Sequence, residues 1–242
     1  MNQQFFKLPS SEIGSNHEGF LTSASVKTHG FYPYEDNGGT SLAIAGEDYC
    51  ILASDTRQSR GYLIHSRYSP KAFKLSDKAA IALNGYAADG ITLVKKLKQK
   101  MEWYKHAHDK EMSTPALAQM ISITLYMKRF FPYYVSNTLA GLDENGKGVI
   151  YRFDPVGSFE PVLCNASGSG ESLIQPFLDS QVGFKNQRNV DKVPLPLDKA
   201  ITIAKDAFTS ATERDMYTGD YLEIFVITKD GVEIQSYDLK RD

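Results

Sequence analysis

The spacing of apolar residues switches from a period of two to a helical period and back, twice, and this order restricts the fold more than any single motif. Thr40–Ala45 and Tyr49–Ser54 read as two strands joined by the turn Gly46-Glu47-Asp48. Tyr62–His65, Ala72–Leu75 and Lys78–Leu83 continue the set, which ends at Asn84-Gly85-Tyr86. From about 87 to 108 the step changes: Val94, Leu97, Met101 and Tyr104 trace one helix face. Lys95, Lys96, Lys98 and Lys100 lie opposite, as a solvated face does. Ser113 is an N-cap with Pro115 in the first turn, opening a second helix through Leu117, Ile121 and Leu125 to Lys128, before Pro132. Strands return at Tyr133–Leu142, Val149–Phe153 and Val162–Asn165. A loop, Ser167-Gly168-Ser169-Gly170, opens a helix over about 171–182, and Asp198 caps another to about 214. Tyr221–Thr228 and Val232–Tyr237 close the chain as a hairpin.

Strands, two helices, strands, two helices, strands is an α+β order. Two antiparallel sheets packed face to face, with a helix pair outside each, would bury every apolar face, giving a four-layer αββα sandwich. No domain boundary interrupts residues 40–242. A net charge of −2 gives no electrostatic reason to expect nucleic acid. No run reaches the roughly 18 apolar residues of a membrane helix. Residues 1–29 are polar, lack the apolar segment of a secretory signal, and read as a leader. Cys50 and Cys164 sit in apolar surroundings and read as buried free thiols. The scattered histidines offer no metal-ligand spacing, and no cofactor is implied.

Five motifs then stand in register: Gly38-Gly39-Thr40-Ser41-Leu42-Ala43 running to Asp55-Thr56-Arg57, then Ser69-Pro70-Lys71, Asn84-Gly85-Tyr86-Ala87-Ala88-Asp89, Gly168-Ser169-Gly170, and Arg214-Asp215-Met216-Tyr217-Thr218-Gly219-Asp220. Together they resemble the beta-type subunits of the proteasome core particle over about 200 residues. The resemblance implies the N-terminal nucleophile hydrolase fold. In catalytic members a threonine freed at the chain start is the nucleophile and its amine the base. An aspartate and a lysine, sixteen and thirty-two residues on, tune that group. Counting back from Asp55 and from Lys71 gives the same position, Gly39, which has no hydroxyl. Gly85 matches the residue whose backbone N–H forms the oxyanion hole, and Asp215 matches the aspartate that supports the nucleophile. Glu171 departs from the pattern: it replaces a serine, and a carboxylate there would repel a developing oxyanion.

The implied protein is therefore a non-catalytic structural and assembly subunit, closest to the sixth beta position, with the retained scaffold of Asp55, Lys71, Gly85 and Asp215. The pieces that fit this position include Phe31-Tyr32-Pro33-Tyr34, Lys128-Arg129-Phe130-Phe131-Pro132-Tyr133-Tyr134 and Phe153-Asp154-Pro155-Val156-Gly157. Aligning its processing pattern places a cut between His29 and Gly30, leaving an arm, 30–39, ahead of a single domain. Implied partners are neighbouring beta subunits in a seven-membered ring, alpha-ring subunits and the opposite beta ring, in cytoplasm and nucleus. The rival is an active threonine endopeptidase with Thr40 exposed by cleavage of the Gly39–Thr40 bond. The bond type fits the rival, but the spacing does not: shifting a strand by one residue turns every side chain over. Two bland readings also stand: Asp55–Lys71 as a plain ion pair, and Gly85 as a turn glycine. The aromatic run 130–134 reads equally as an interface or as core.

Overall fold

The computed structural model describes residues 30–185, 187–188 and 193–242. The chain divides into a unit Met1–Pro33 and a unit Tyr34–Asp242. Of the first, the described residues 30–33 carry neither helix nor strand, and the predicted leader lies outside the described residues.

The second unit opens with β1 (Thr40–Ala45) and β2 (Tyr49–Asp55), followed by a small hairpin, β3 (Gln58–Arg60) and β4 (Leu63–Ser66). Next come β5 (Ala72–Ser76), β6 (Ala79–Gly85), α1 (Ala87–His108), α2 (Thr114–Tyr126), β7 (Val135–Leu142), β8 (Gly148–Phe153) and β9 (Phe159–Val162). β10 (Cys164–Gly168), α3 (Glu171–Gln181), α4 (Leu197–Thr212), β11 (Tyr221–Thr228) and β12 (Gly231–Asp238) complete it. Two five-stranded sheets form, ordered β10-β1-β2-β11-β12 and β5-β6-β7-β8-β9. Every pairing is antiparallel, so the chain is α+β with the helices in two consecutive pairs.

Strand alternation sorts the apolar residues into three clusters. Leu42 and Ile44 of β1 join Ile51 and Ala53 of β2 with Ile174, Leu178, Ala204 and Phe208 of α3 and α4. Ile81 and Leu83 of β6 and Leu139 of β7 join Leu93 and Leu97 of α1 and Leu117, Ile121 and Leu125 of α2. The third cluster draws on the other face of both sheets: Ala43, Cys50, Leu52 and Phe225 from one, Ala80, Ala82, Ala140 and Ile150 from the other. Its many alanines let two backbones approach closely. Cys50 and Cys164 are free and buried, and burial pushes their thiols up, to about 12 and about 11, so neither is a thiolate at neutral pH.

Several sequence expectations need adjustment. Val162 and Cys164 belong to different sheets, because β9 pairs with β8 while β10 pairs with β1, so the expected single strand is two. Asp198 does not cap α4. Pro196 is the capping residue and Asp198 lies in the first turn, since Leu197 packs on the first core cluster and draws the helix start back. Ser113 does cap α2, its hydroxyl accepting from the Ala116 N–H at 3.4 Å. The lysine face of α1 is partly tied down: Lys96 donates to Tyr133 Oη and Lys100 to Thr124 Oγ1, both at 2.8 Å. The aromatic run divides, with Tyr133 in the core and Phe130 in solvent.

Candidate functional site

The end of β1 is where the five motifs meet. β10 and β2 flank it, setting Thr40 opposite Gly168 and Ser41 opposite both Ser167 and Ser54. The α3 entry and the 215–220 loop close over the same end through hydrogen bonds to Thr40 and Asp55.

Asp55 is fully buried and holds three donors. Thr40 N–H reaches Oδ1 at 2.8 Å, Lys71 Nζ reaches Oδ1 at 3.0 Å, and Gly219 N–H reaches Oδ2 at 3.2 Å. Burial pushes the Asp55 carboxyl up from its ordinary range, while the Lys71 ammonium and the Thr40 and Gly219 N–H groups oppose that rise. Lys71 Nζ also donates to the carbonyls of Asp55 at 3.1 Å and Arg57 at 2.6 Å. The ammonium is thus saturated by three acceptors, as a structural ion pair requires.

Gly39 is packed against that pair. Its φ is +82°, and a Cβ there would lie 2.0 Å from Lys71 Cε and 2.9 Å from Asp55 Oδ1. No side chain fits this position while Lys71 stays in place. The Gly39 carbonyl accepts from Ser169 N–H at 3.0 Å and Asn84 Nδ2 at 3.2 Å, which fixes the peptide before Thr40.

Thr40 faces the other way. It shares the face of β1 occupied by Leu42 and Ile44, towards α3 and α4. The Thr218 hydroxyl donates to Asp215 Oδ2 at 2.6 Å, so its 2.7 Å bond with Thr40 Oγ1 has Thr40 as donor. Gly170 N–H donates to Thr40 Oγ1 at 2.9 Å. Ser169 Oγ donates to the same Asp215 oxygen at 2.6 Å. Asp215 therefore orders two hydroxyls, and the Thr40 hydroxyl is engaged on the side away from Lys71.

Gly85, at φ +117°, ends β6, and a Cβ there would lie 2.6 Å from the Tyr134 carbonyl oxygen. That φ and that contact leave room for glycine alone. Its carbonyl accepts from Asn37 N–H at 3.0 Å. Glu171 is the first residue of α3, where a carboxylate suits the positive end of the helix dipole. Asp55, Lys71, Gly39, Gly85, Thr40, Asp215 and the α3 start thus converge. Gly30 belongs to the separate first unit and His29 lies outside the described residues.

Three contributors were not singled out from sequence. Asn37 makes a double stitch: it exchanges bonds with the Ser59 backbone at 3.0 and 3.1 Å, and its Oδ1 accepts from Ala87 N–H at 2.8 Å, capping α1 from outside that helix. Beside it opens a cleft of about 400 Å³, counting solvent at its mouth, lined by Gly38, Lys71, Phe73, Leu83 and Gly85. Arg57 is buried and pairs with Asp220 Oδ2 at 2.8 Å, while Arg67 holds Oδ1 of the same carboxylate at 2.5 Å. Thr218 is the third. Arg57, with its partner Asp220, and Thr218 stand inside the motifs, but nothing in the spacing shows what they bind. Asn37 reads only as a turn residue.

Among the described residues no group of His, Cys, Asp and Glu could hold a metal ion, and no helix is long and apolar enough to cross a membrane.

The family model described as "Proteasome subunit" matches residues 35–227. The chain is similar to the yeast (Saccharomyces cerevisiae) proteasome subunit beta type-6, at 52% identity over 95% of this chain and 99% of that one. It is also similar to proteasome subunit beta type-1-B of Carassius auratus, at 51% identity over 88% of this chain and 90% of the relative. Proteasome subunit beta type-1 of Arabidopsis thaliana shares 50% identity over 87% of this chain and 96% of its own. With the five motifs meeting at one end of β1 and the match running through most of the chain, the chain belongs to the proteasome subunit family.

Proposed function

We propose that this chain is a non-catalytic structural and assembly subunit of the proteasome core particle beta ring, at the sixth beta position. It contributes to the wall of the chamber in which proteins are degraded, and other subunits perform the cleavage. One observation carries the reading: the position in register with the nucleophile is Gly39, and Lys71 fills the volume its side chain would need. The Thr40 hydroxyl, which the rival reading requires, is bound to Thr218 and Gly170 instead. Asp55, Lys71, Gly85 and Asp215 then serve as architecture. Names of the relatives, which include beta type-1 in fish and plants, support the same position.

The three core clusters support a four-layer αββα sandwich of the N-terminal nucleophile hydrolase type. The domain runs from 30 to 242, with residues 1–29 removed by a cut between His29 and Gly30 that leaves 30–39 as an arm. The partners are other beta subunits in a seven-membered ring, alpha-ring subunits and the facing beta ring, in cytoplasm and nucleus.

Intact mass and N-terminal sequence of the chain from native particles test this. A start at Gly30 is expected, leaving Gly39 internal. A start at Thr40 would make the chain a protease and overturn the proposal.

A further inference from the structure

Helix α2 buries its apolar face, and a second apolar stripe starts in its last turn, runs past the helix end and stays exposed. Leu117, Ile121 and Leu125 pack on the second sheet. Ile123, Tyr126, Met127, Phe130 and Phe131 follow the other side at i, i+3, i+4, i+7 and i+8, the spacing of one stripe. The turns after Tyr126 carry the stripe onward: Met127 N–H donates to the Ile123 carbonyl and Arg129 N–H to that of Tyr126, each at 3.0 Å. All five side chains face solvent, led by Phe130 at 94%, Met127 at 76% and Tyr126 at 65% exposure. Phe131 is shared, its ring lying 5.8 Å from that of Tyr34.

Charge narrows what covers this face. No Asp or Glu occurs from Met112 to Leu142, while Lys128 and Arg129 stand within the stripe. The Arg129 guanidinium lies 6.0 Å from the Phe130 ring centre and keeps that end positive. Aromatic residues, Met and Arg together are the composition enriched in the centres of protein interfaces. Exposed apolar side chains that stand together, rimmed by polar residues, mark interaction sites.

We infer that this stripe is a docking surface for another proteasome subunit, one presenting apolar side chains rimmed by carboxylates. The inference rests on the assembly reading above and assigns it a place: the last turn of α2 and the turns that follow it to Phe131. Phe130 and Met127 are the anchors, and Arg129 meets the acidic rim.

The test uses full-length chain expressed in its own cells. A photo-crosslinking benzoylphenylalanine at position 130 is expected to capture another proteasome subunit, at an apolar segment flanked by Asp or Glu. Met127→Glu with Phe130→Glu is expected to lower the assembled share about tenfold or more, as the loss of two buried anchors and a charge clash would. Trp103→Glu places the same charge on an exposed residue of α1 outside the stripe, and is expected to assemble as wild type does. Normal assembly of the double variant, capture of only non-proteasome proteins or of none, or equal failure of Trp103→Glu would each overturn the inference. Wild-type chain absent from every particle would instead remove the assembly reading itself, and this inference with it.

Discussion

At position 39, a side chain and Lys71 compete for one volume. The conflict is twofold, because φ of +82° disfavours any residue with a Cβ even before the contact with Lys71 is counted. A left-handed non-glycine costs roughly 1–3 kcal/mol. Displacing Lys71 adds the penalty of stranding the buried Asp55 carboxylate. Gly39→Ala is therefore expected to destabilise the chain by at least about 2 kcal/mol. A shift of the urea midpoint to lower concentration would report it, and an unchanged midpoint would mean Lys71 yields freely. Much of this was legible beforehand. The family's spacing, counted back from Asp55 and from Lys71, meets at Gly39 in the sequence itself. The direction of the Thr40 side chain was legible too, as a consequence of strand alternation. What Thr40 binds was not: Thr218 lies 178 residues further along the chain, and no local pattern joins two hydroxyls across that distance.

Among the elements, the end of β2, the β3–β4 hairpin and the start of β11 are held by one carboxylate. Asp220 has no exposed side-chain surface and accepts from both Arg57 and Arg67. Burial works to raise its carboxyl, but the two guanidinium groups outweigh that and hold it below the ordinary range. Asp220→Asn keeps the shape and suits the left-handed φ of 71°, yet leaves Arg57 buried without a countercharge. It is expected to cost about 3–5 kcal/mol at neutral pH. The folded carboxyl titrates below its unfolded value of about 3.9. Its stabilisation is thus complete above that value and is lost as the pH falls through the folded one. Urea curves at pH 7 and in acid are expected to show the gap between wild type and variant closing; a gap that persists below both values would contradict the pairing. Helix α1, Ala87–His108, is visible in sequence because Val94, Leu97, Met101 and Tyr104 keep the helical step and Asn84-Gly85 stops the strand before it. The β9–β10 break at Leu163 is not visible, because Val162-Leu163-Cys164-Asn165 reads as continuous strand and only the partner strands divide it.

For the molecule as a whole, the distance between the two sheets depends on small side chains. Ala43, Ala80, Ala82 and Ala140 are all fully buried in the cluster drawn from both sheets. Ala80→Leu would add methylenes where neither sheet can recede without disturbing its helices. The expected cost is about 1–3 kcal/mol, readable as a lower melting temperature. A melting temperature equal to wild type would mean that the sheets have slack. The alternation of strand and helix sets foretold an α+β chain of antiparallel sheets with four helices. It could not foretell the strand order β10-β1-β2-β11-β12, since pairing across long separations leaves no trace in the period. That order has a consequence during synthesis. Thr40 pairs with Gly168, and its hydroxyl is bound by Gly170 and Thr218, while Asp55 waits for Gly219. A chain leaving the ribosome from its N-terminus makes β1 and β2 early, but the groups that bind the Thr40 hydroxyl follow 130 and 178 residues later. The nascent chain therefore carries an unfinished edge until those residues emerge. The site at Gly39 is a seal that closes only once Thr218 and Gly219 have been made.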